Sequence, residues 1–183
     1  EIASCLVGSE MCIRDRFYCE LAQDELVHTH PDAAITLLEK ALAADRKSVR
    51  ATILLGDAQL AQGDTELALL TWRRVEHQSV PHVALVAQRL MDGYRAVGRA
   101  QEGVNLLKFY LAEASSIDLL EVVFKAVLEL EGVDAANQMV SDELRRTPTL
   151  LGLDKLLEAR LMEAPPEMRS ELSLVKNLSL IHI

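Results

Sequence analysis

Residues 49–82, VRATILLGDAQLAQGDTELALLTWRRVEHQSVPH, decide how the rest of the chain is read. They read as two helices joined by a tight corner. The first carries Ile53, Leu55, Gly56, Gln59 and Leu60, and Gly63 ends it. A residue without Cβ can take the left-handed conformation that closes a helix. Asp64 or Thr65 can then cap the second helix through a side-chain oxygen. Its apolar stripe, Ala68, Leu69, Trp72 and Val75, recurs at the spacing of one helical face. Gly56 and Ala68 are small because the two helices come closest there. Trp72, the single tryptophan, stands where such a pair needs a large core residue, and is read as packing. Pro81 closes the unit.

The unit repeats. One period back, Gly56, Ala68 and Trp72 map to Ala22, Ala34 and Leu38. Going forward, Gly63 maps to Gly98 and then to Gly132, and Trp72 maps to Leu107. This arrangement resembles the tetratricopeptide pattern, a helix–turn–helix unit of about 34 residues. The expected fold is all-α, a right-handed superhelix of about four to five stacked helix pairs, that is, an α-solenoid. It is expected over residues 17–177.

The two ends read differently. Residues 178–183, LSLIHI, can be encoded by CTGTCTCTTATACACATC, whose reverse complement contains ATGTGTATAAGAGACAG. Frame-shifted, that strand encodes MCIRD, residues 11–15. Both ends therefore resemble one transposase-type adapter translated from opposite strands. Residues 1–16 and 178–183 are accordingly expected to be non-native and to make few specific contacts, although a helix can extend back through Met11 to Arg16. The remainder is expected to be a fragment of a longer protein.

The other segments follow the period. Helices are expected at 17–26, from Pro31 to about Asp45, at 83–97, and at 101–114 with Leu106, Leu107, Phe109 and Tyr110. Ser116 should cap 117–131. Gly132 turns into 133–146, with Ala136, Met139, Val140 and Leu144 inward. Thr147-Pro148 opens 149–162, and Pro165-Pro166 opens a last helix at 167–176.

Half of the chain is hydrophobic but only 4% is aromatic, which suits stacked helices better than a β-sandwich. The formal charge is −9, and no face rich in Lys and Arg is evident, so a nucleic-acid ligand is not expected. No apolar run reaches the roughly 18 residues a membrane span needs, so no membrane contact is expected of this segment. Cys5, Cys12 and Cys19 sit seven apart, yet two belong to the adapter-like end. Cys19 is expected as a small packed residue.

Catalytic and metal patterns are missing: there is no phosphate-cradling glycine loop, no HExxH and no CxxC. His28 and His30, two apart in a loop, are read as solvated. Glu129 and Glu131 are read as solvated helix-face acids. Arg73-Arg74 and Arg145-Arg146 lie near helix C-termini, which favour cations. The segment is read as non-enzymatic, with no catalytic residue, cofactor or metal ligand. A solenoid works through its concave surface, lined in tetratricopeptide stacks by the first helix of each pair. The period places Gln23, Arg50, Asp57, Gln88, Asp92 and Arg95 there as protein-binding residues. Cys19, Ile53 and Val122 fall where carboxylate-gripping co-chaperone repeats need Lys or Asn, so binding of a chaperone tail is not expected.

Three stretches, FYCELAQDEL, AAITLLEKALAADRKSVRATILLGDAQLAQGD and RRTPTLLGLDKLLEARL, together resemble the lipopolysaccharide assembly protein B family. The resemblance covers nearly all of 17–177, including the degenerate closing repeat. It implies an adaptor on the cytoplasmic face of the bacterial inner membrane, with an N-terminal membrane helix, cytoplasmic repeats and a metal-binding rubredoxin-like domain carrying two CxxC pairs. It also implies partners: a membrane-bound ATP-dependent protease, and the lipid A pathway deacetylase that the protease destroys. Neither the membrane helix nor a CxxC is found in this sequence. The alternatives are a generic tetratricopeptide scaffold, a self-associating homo-oligomer module, or a repeat domain attached to an enzyme outside this segment.

Overall fold

The computed structural model describes residues 2–163, with side-chain environments for residues 14–162 except Leu151. All regular elements among these residues are helical. In order they are α1 (Ile2–Val27), α2 (Pro31–Ala44), α3 (Val49–Gln62), α4 (Thr65–Arg73), the single turn α5 (Val75–Gln78), a 3-10 segment (Val80–Val86), α6 (Ala87–Ala96), α7 (Ala100–Glu113), α8 (Ile117–Leu130), α9 (Val133–Arg146) and α10 (Leu150–Glu163). The expected helix at 167–176 lies outside the described residues.

The corners form where the glycines stand. Gly63, Gly98 and Gly132 have φ of 96°, 73° and 91°, a region open to glycine at little cost. Side-chain caps start several helices: Ser48 accepts from Ala51 N at 3.2 Å, Asp64 from Leu67 N at 3.0 Å, and Ser116 from Leu119 N at 3.3 Å. Pro31 occupies the first turn of α2, where its missing N–H is no loss. The cap of α10 is Thr149, whose Oγ1 accepts from Gly152 N at 3.1 Å, two residues beyond the expected Thr147.

Three local expectations change. Helix α1 runs back unbroken to Ile2, beyond the extension through Met11 that the sequence allowed. Within the segment expected to contact little, Asp15 accepts from Ser48 Oγ at 3.0 Å and from Cys19 Sγ at 3.6 Å. The long helix expected at 83–97 is instead a 3-10 stretch followed by α6. Pro81 stands in the first turn of that stretch.

Two compact units divide the chain between Arg99 and Ala100. In the first, Cys19, Ala22, Ala34, Leu38, Ala41, Ala51, Leu55 and Ala58 pack into one core cluster. Small residues let α1, α2 and α3 approach closely. Trp72 is 1% exposed and donates from Nε1 to Ile53 O at 3.2 Å. A Cβ on Gly56 would overlap the indole, and one on Gly93 would lie 2.8 Å from Leu69 Cδ2. The tryptophan is packing, as its place in the period requires.

In the second unit Leu119, Leu120, Val123, Phe124 and Val127 of α8 are buried, as are Ala136 and Val140 of α9. Met139 and Leu144, expected inward, are only half-buried, and Phe109 is 58% exposed. Leu107, Tyr110 and Leu111 define the buried face of α7 and rotate Phe109 away from it.

Candidate protein-binding face

Helices α1, α3 and α6, each the first of its pair, carry the six residues read from the sequence as a binding face. All lie in the unit before Ala100. Arg50 reaches from α3 to α1, donating from Nη1 to Glu20 Oε1 at 2.9 Å and from Nη2 to Gln23 Oε1 at 3.1 Å. The hydrogen bond from Arg50, then its charge, holds the Glu20 carboxyl below the usual range. Asp57 is gripped by Arg89 of α6: Nε donates to Oδ1 at 2.7 Å and Nη2 to Oδ2 at 3.0 Å. This is the bidentate fork that fixes geometry as well as charge. On α6, Gln88 Nε2 donates to both Asp92 oxygens at 2.9 and 3.0 Å, and Arg95 Nη1 donates to Oδ1 at 3.1 Å.

The structure therefore joins Gln23 with Arg50, and Gln88 with Asp92 and Arg95. Asp57 meets none of the other five. Sequence reading missed Glu20 and Arg89, which complete the two cross-helix pairs. Their signal was spacing: Glu20 and Arg50 are 30 apart, and Asp57 and Arg89 are 32 apart. Opposite charges about one repeat apart on equivalent helices lie side by side.

Between α3 and α6 a groove of about 570 Å³ opens, with Trp72 and Gly93 at its floor. Leu60 and Ala96 form apolar walls, while Asp57, Arg89 and Asp92 stand at the rim. Leu60 of α3 is 44% exposed and lines this groove. The lining offers no hydroxyl, thiol or imidazole. It offers an apolar seat flanked by both signs of charge.

His28 and His30 are exposed, and their Nδ1 atoms lie 2.8 Å from Asp24 O and 3.0 Å from Glu25 Oε2. Among the described residues no cluster of three or more His, Cys, Asp or Glu could hold a metal ion. Cys19 is buried, and burial together with Asp15 pushes its thiol up to about 12. It is a protonated core residue at neutral pH. None of the described helices is long and apolar enough to cross a membrane.

The tetratricopeptide repeat family matches residues 19–79. Lipopolysaccharide assembly protein B of Escherichia coli strain K12 is 32% identical over 149 residues, 81% of this chain. The chain is a relative of that protein. The sequences from strains O6:H1 and O157:H7 match equally. The chain spans 38% of the length of lipopolysaccharide assembly protein B. Among solved structures, a MamA fragment from Desulfovibrio magneticus RS-1 gives a TM-score of 0.56 at 13% identity, covering 92% of this chain and 96% of that one. The kinesin light chain TPR-like repeats of Podosopora anserina give 0.58 at 20%, covering 91% and 95%. Likeness at such identity concerns the fold, and the fold is the tetratricopeptide α-solenoid. A repeat protein related to lipopolysaccharide assembly protein B is a protein-interaction module.

Proposed function

We propose that this segment is the protein-binding part of a non-enzymatic adaptor that regulates lipopolysaccharide biosynthesis at the cytoplasmic face of the bacterial inner membrane. Its partners are a membrane-bound ATP-dependent protease and the lipid A pathway deacetylase, whose proteolysis the adaptor promotes. The whole protein then carries a membrane helix and a rubredoxin-like metal domain outside the residues described above. The observation that carries this reading is the 32% identity to lipopolysaccharide assembly protein B across four fifths of the chain. The α1, α3 and α6 face supports it, since an apolar seat rimmed by fixed ion pairs suits a protein partner. Charge orients such a partner, and a few buried anchors hold it.

Because Arg50 and Asp57 are already paired, reversing them alone would also place like charges together. The test is a swap: Glu20→Arg with Arg50→Glu, and Asp57→Arg with Arg89→Asp. Each internal pair survives while the field of the face inverts. Circular dichroism and melting temperature should stay close to the parent. A full-length version carrying the swaps should no longer lower deacetylase levels in a Gram-negative cell. Normal turnover with both swaps in place would remove this face from the mechanism. Failure of the unswapped full-length protein to affect turnover would remove the adaptor assignment itself.

A further inference from the structure

In the unit before Ala100 the helices carry opposite charges at their two ends. At the ends joined inside each pair stand Asp24, Glu25, Asp32 and Asp64. At the ends where one pair passes to the next stand Lys40, Arg46, Lys47, Arg73 and Arg74. Residues 39–47 and 73–77 hold five bases and three acids, in a chain whose formal charge is −9. A contact across the repeat gathers these bases along one edge. Gln78 Nε2 of α5 donates to Arg46 O at 3.1 Å and to Thr52 Oγ1 at 2.7 Å, which sets the turn after α2 beside the turn after α4. Arg74 stands one helical turn before Gln78.

What marks this edge is that its cations are free. On the inner face Arg50 is paired with Glu20 and Arg89 with Asp57. The side chains of Lys40, Arg46, Lys47 and Arg74 are exposed and, among the described residues, meet no acid at ion-pair distance and no hydrogen-bond acceptor. Two of the neighbouring acids are already engaged: Asp45 Oδ1 accepts from Lys47 N at 2.9 Å, and Glu76 Oε1 lies 3.3 Å from His77 Nε2. A helix dipole favours cations only within its last turn. That accounts for Arg73 and Arg74, but not for Arg46 and Lys47, which stand beyond the end of α2 at Ala44.

We propose that this edge docks an acidic segment of a partner polypeptide, with carboxylates on Arg46, Lys47 and Arg74. Both guanidinium groups have their donors unused, and their planar forks match carboxylates two bonds at a time. A polypeptide segment fits better than a membrane surface or a nucleic acid. Those polyanions spread their charge beyond the edge and meet the acidic remainder of the chain. Screening limits each charge to a reach of about 8 Å at physiological salt, so a short segment feels the edge alone. The acids at the opposite helix ends repel the same segment and so orient its approach. The edge shares no residue with the α1, α3 and α6 face and does not depend on the adaptor reading.

The test follows the backbone amide signals of Lys47, Arg74 and His77 in the ¹⁵N-labelled full chain. The ligands are acetyl-Glu-Ser-Glu-Glu-Ser-Glu-amide, the Lys counterpart of that peptide, and phosphatidylglycerol vesicles. The acidic peptide should shift these signals saturably at low salt and lose most of its affinity at about 300 mM salt, where screening is strong. The basic peptide should leave them in place. Arg46→Gln with Arg74→Gln should weaken the acidic peptide about tenfold or more, the loss of two exposed ion pairs. Lys125→Gln with Arg145→Gln removes the same charge from α8 and α9 and should change affinity less than about twofold. Circular dichroism of both doubles should match the parent, since all four side chains are exposed. If the edge double does not fold, Lys47→Gln with Arg74→Gln replaces it under the same expectation. Signals indifferent to the acidic peptide, an equal response to the basic one, or equal losses in the two doubles would each overturn the proposal. Vesicles that hold the chain as tightly as the peptide, and release the edge double, would overturn the polypeptide assignment. A dimer in sedimentation that the edge double disperses would overturn it too, in favour of a second copy of this chain.

Discussion

The pair α3/α4 and the pair α8/α9 sit in different units and are secured in different ways. In the first, an indole is clamped against a helix whose facing residue is glycine, and its N–H finds the Ile53 carbonyl. In the second, α9 buries a carboxylate. Glu143 is 3% exposed, accepts from Ser115 Oγ at 2.5 Å, and pairs with Arg146. That arginine also caps the end of α7. An apolar clamp draws its strength from area and shape and is indifferent to pH. An ionic clasp largely offsets its own desolvation cost, so it positions more than it stabilises. The comparison teaches that packing holds a helix pair together, while a hydrogen-bonded charge network can tie a second helix to the end of the preceding second helix.

The largest expected effect comes from breaking the clamp. Trp72→Ala should cost about 3–5 kcal/mol, the range for emptying a buried aromatic site. Amide exchange in α3 and α4 should accelerate first. Retained protection there would show that the clamp is not what secures this pair. Gly56→Ala tests the same clamp from the other side. A methyl there has no room, and overpacking costs about 1–3 kcal/mol. The better helix propensity of alanine, about 1 kcal/mol, offsets only part of that. A variant more stable than the parent in denaturant titration would mean that the helices can part without loss.

The clasp predicts a different signature. Arg146→Met leaves Glu143 buried without its cation, and should cost about 1–3 kcal/mol. Adding Glu143→Met should recover much of that loss, since an ion pair replaced as a whole by apolar groups is often near neutral. Two losses that simply add would show the pair to be independent contacts.

The smallest effect concerns acid. The hydrogen bond from Lys108 lowers the folded pKa of Glu131 from its ordinary 4.5. The charged form is therefore favoured by folding. Its contribution is complete above the ordinary value and disappears as pH falls through the lowered one. Glu131→Gln should lower stability at pH 7 by less than about 1 kcal/mol and flatten the acid limb of the melting profile. Trp72→Ala should shift that profile down without changing its slope. An acid limb unchanged by Glu131→Gln would place the titrating group elsewhere.

Particular residues show why some of this was legible from the sequence. Gly63, Gly98 and Gly132 announced corners because only a residue without Cβ takes their φ cheaply. Asp64 and Ser116 announced helix starts because capping is decided within three residues. Met139 and Leu144 were read as inward and are only half-buried, because a residue at the margin of an apolar stripe turns inward or outward with small rotations of its helix. Glu20 and Arg89 were overlooked because charges on solvated faces look alike until a neighbour is placed beside them.

The sequence by itself determined the helices, their corners, the repeat, and the large buried residue that each pair requires. Those features depend on interactions within about one turn, or on a periodicity that sums over many residues. Only the tertiary structure decided which groups meet across helices: Asp57 with Arg89, Gln62 with Asp32, Gln101 with Glu131, and Arg146 with the end of α7. These partners lie 30 to 34 residues apart. The period brings them to neighbouring helices. Whether two side chains then meet depends on the rotation and spacing of those helices, which the packing of the residues beneath them sets.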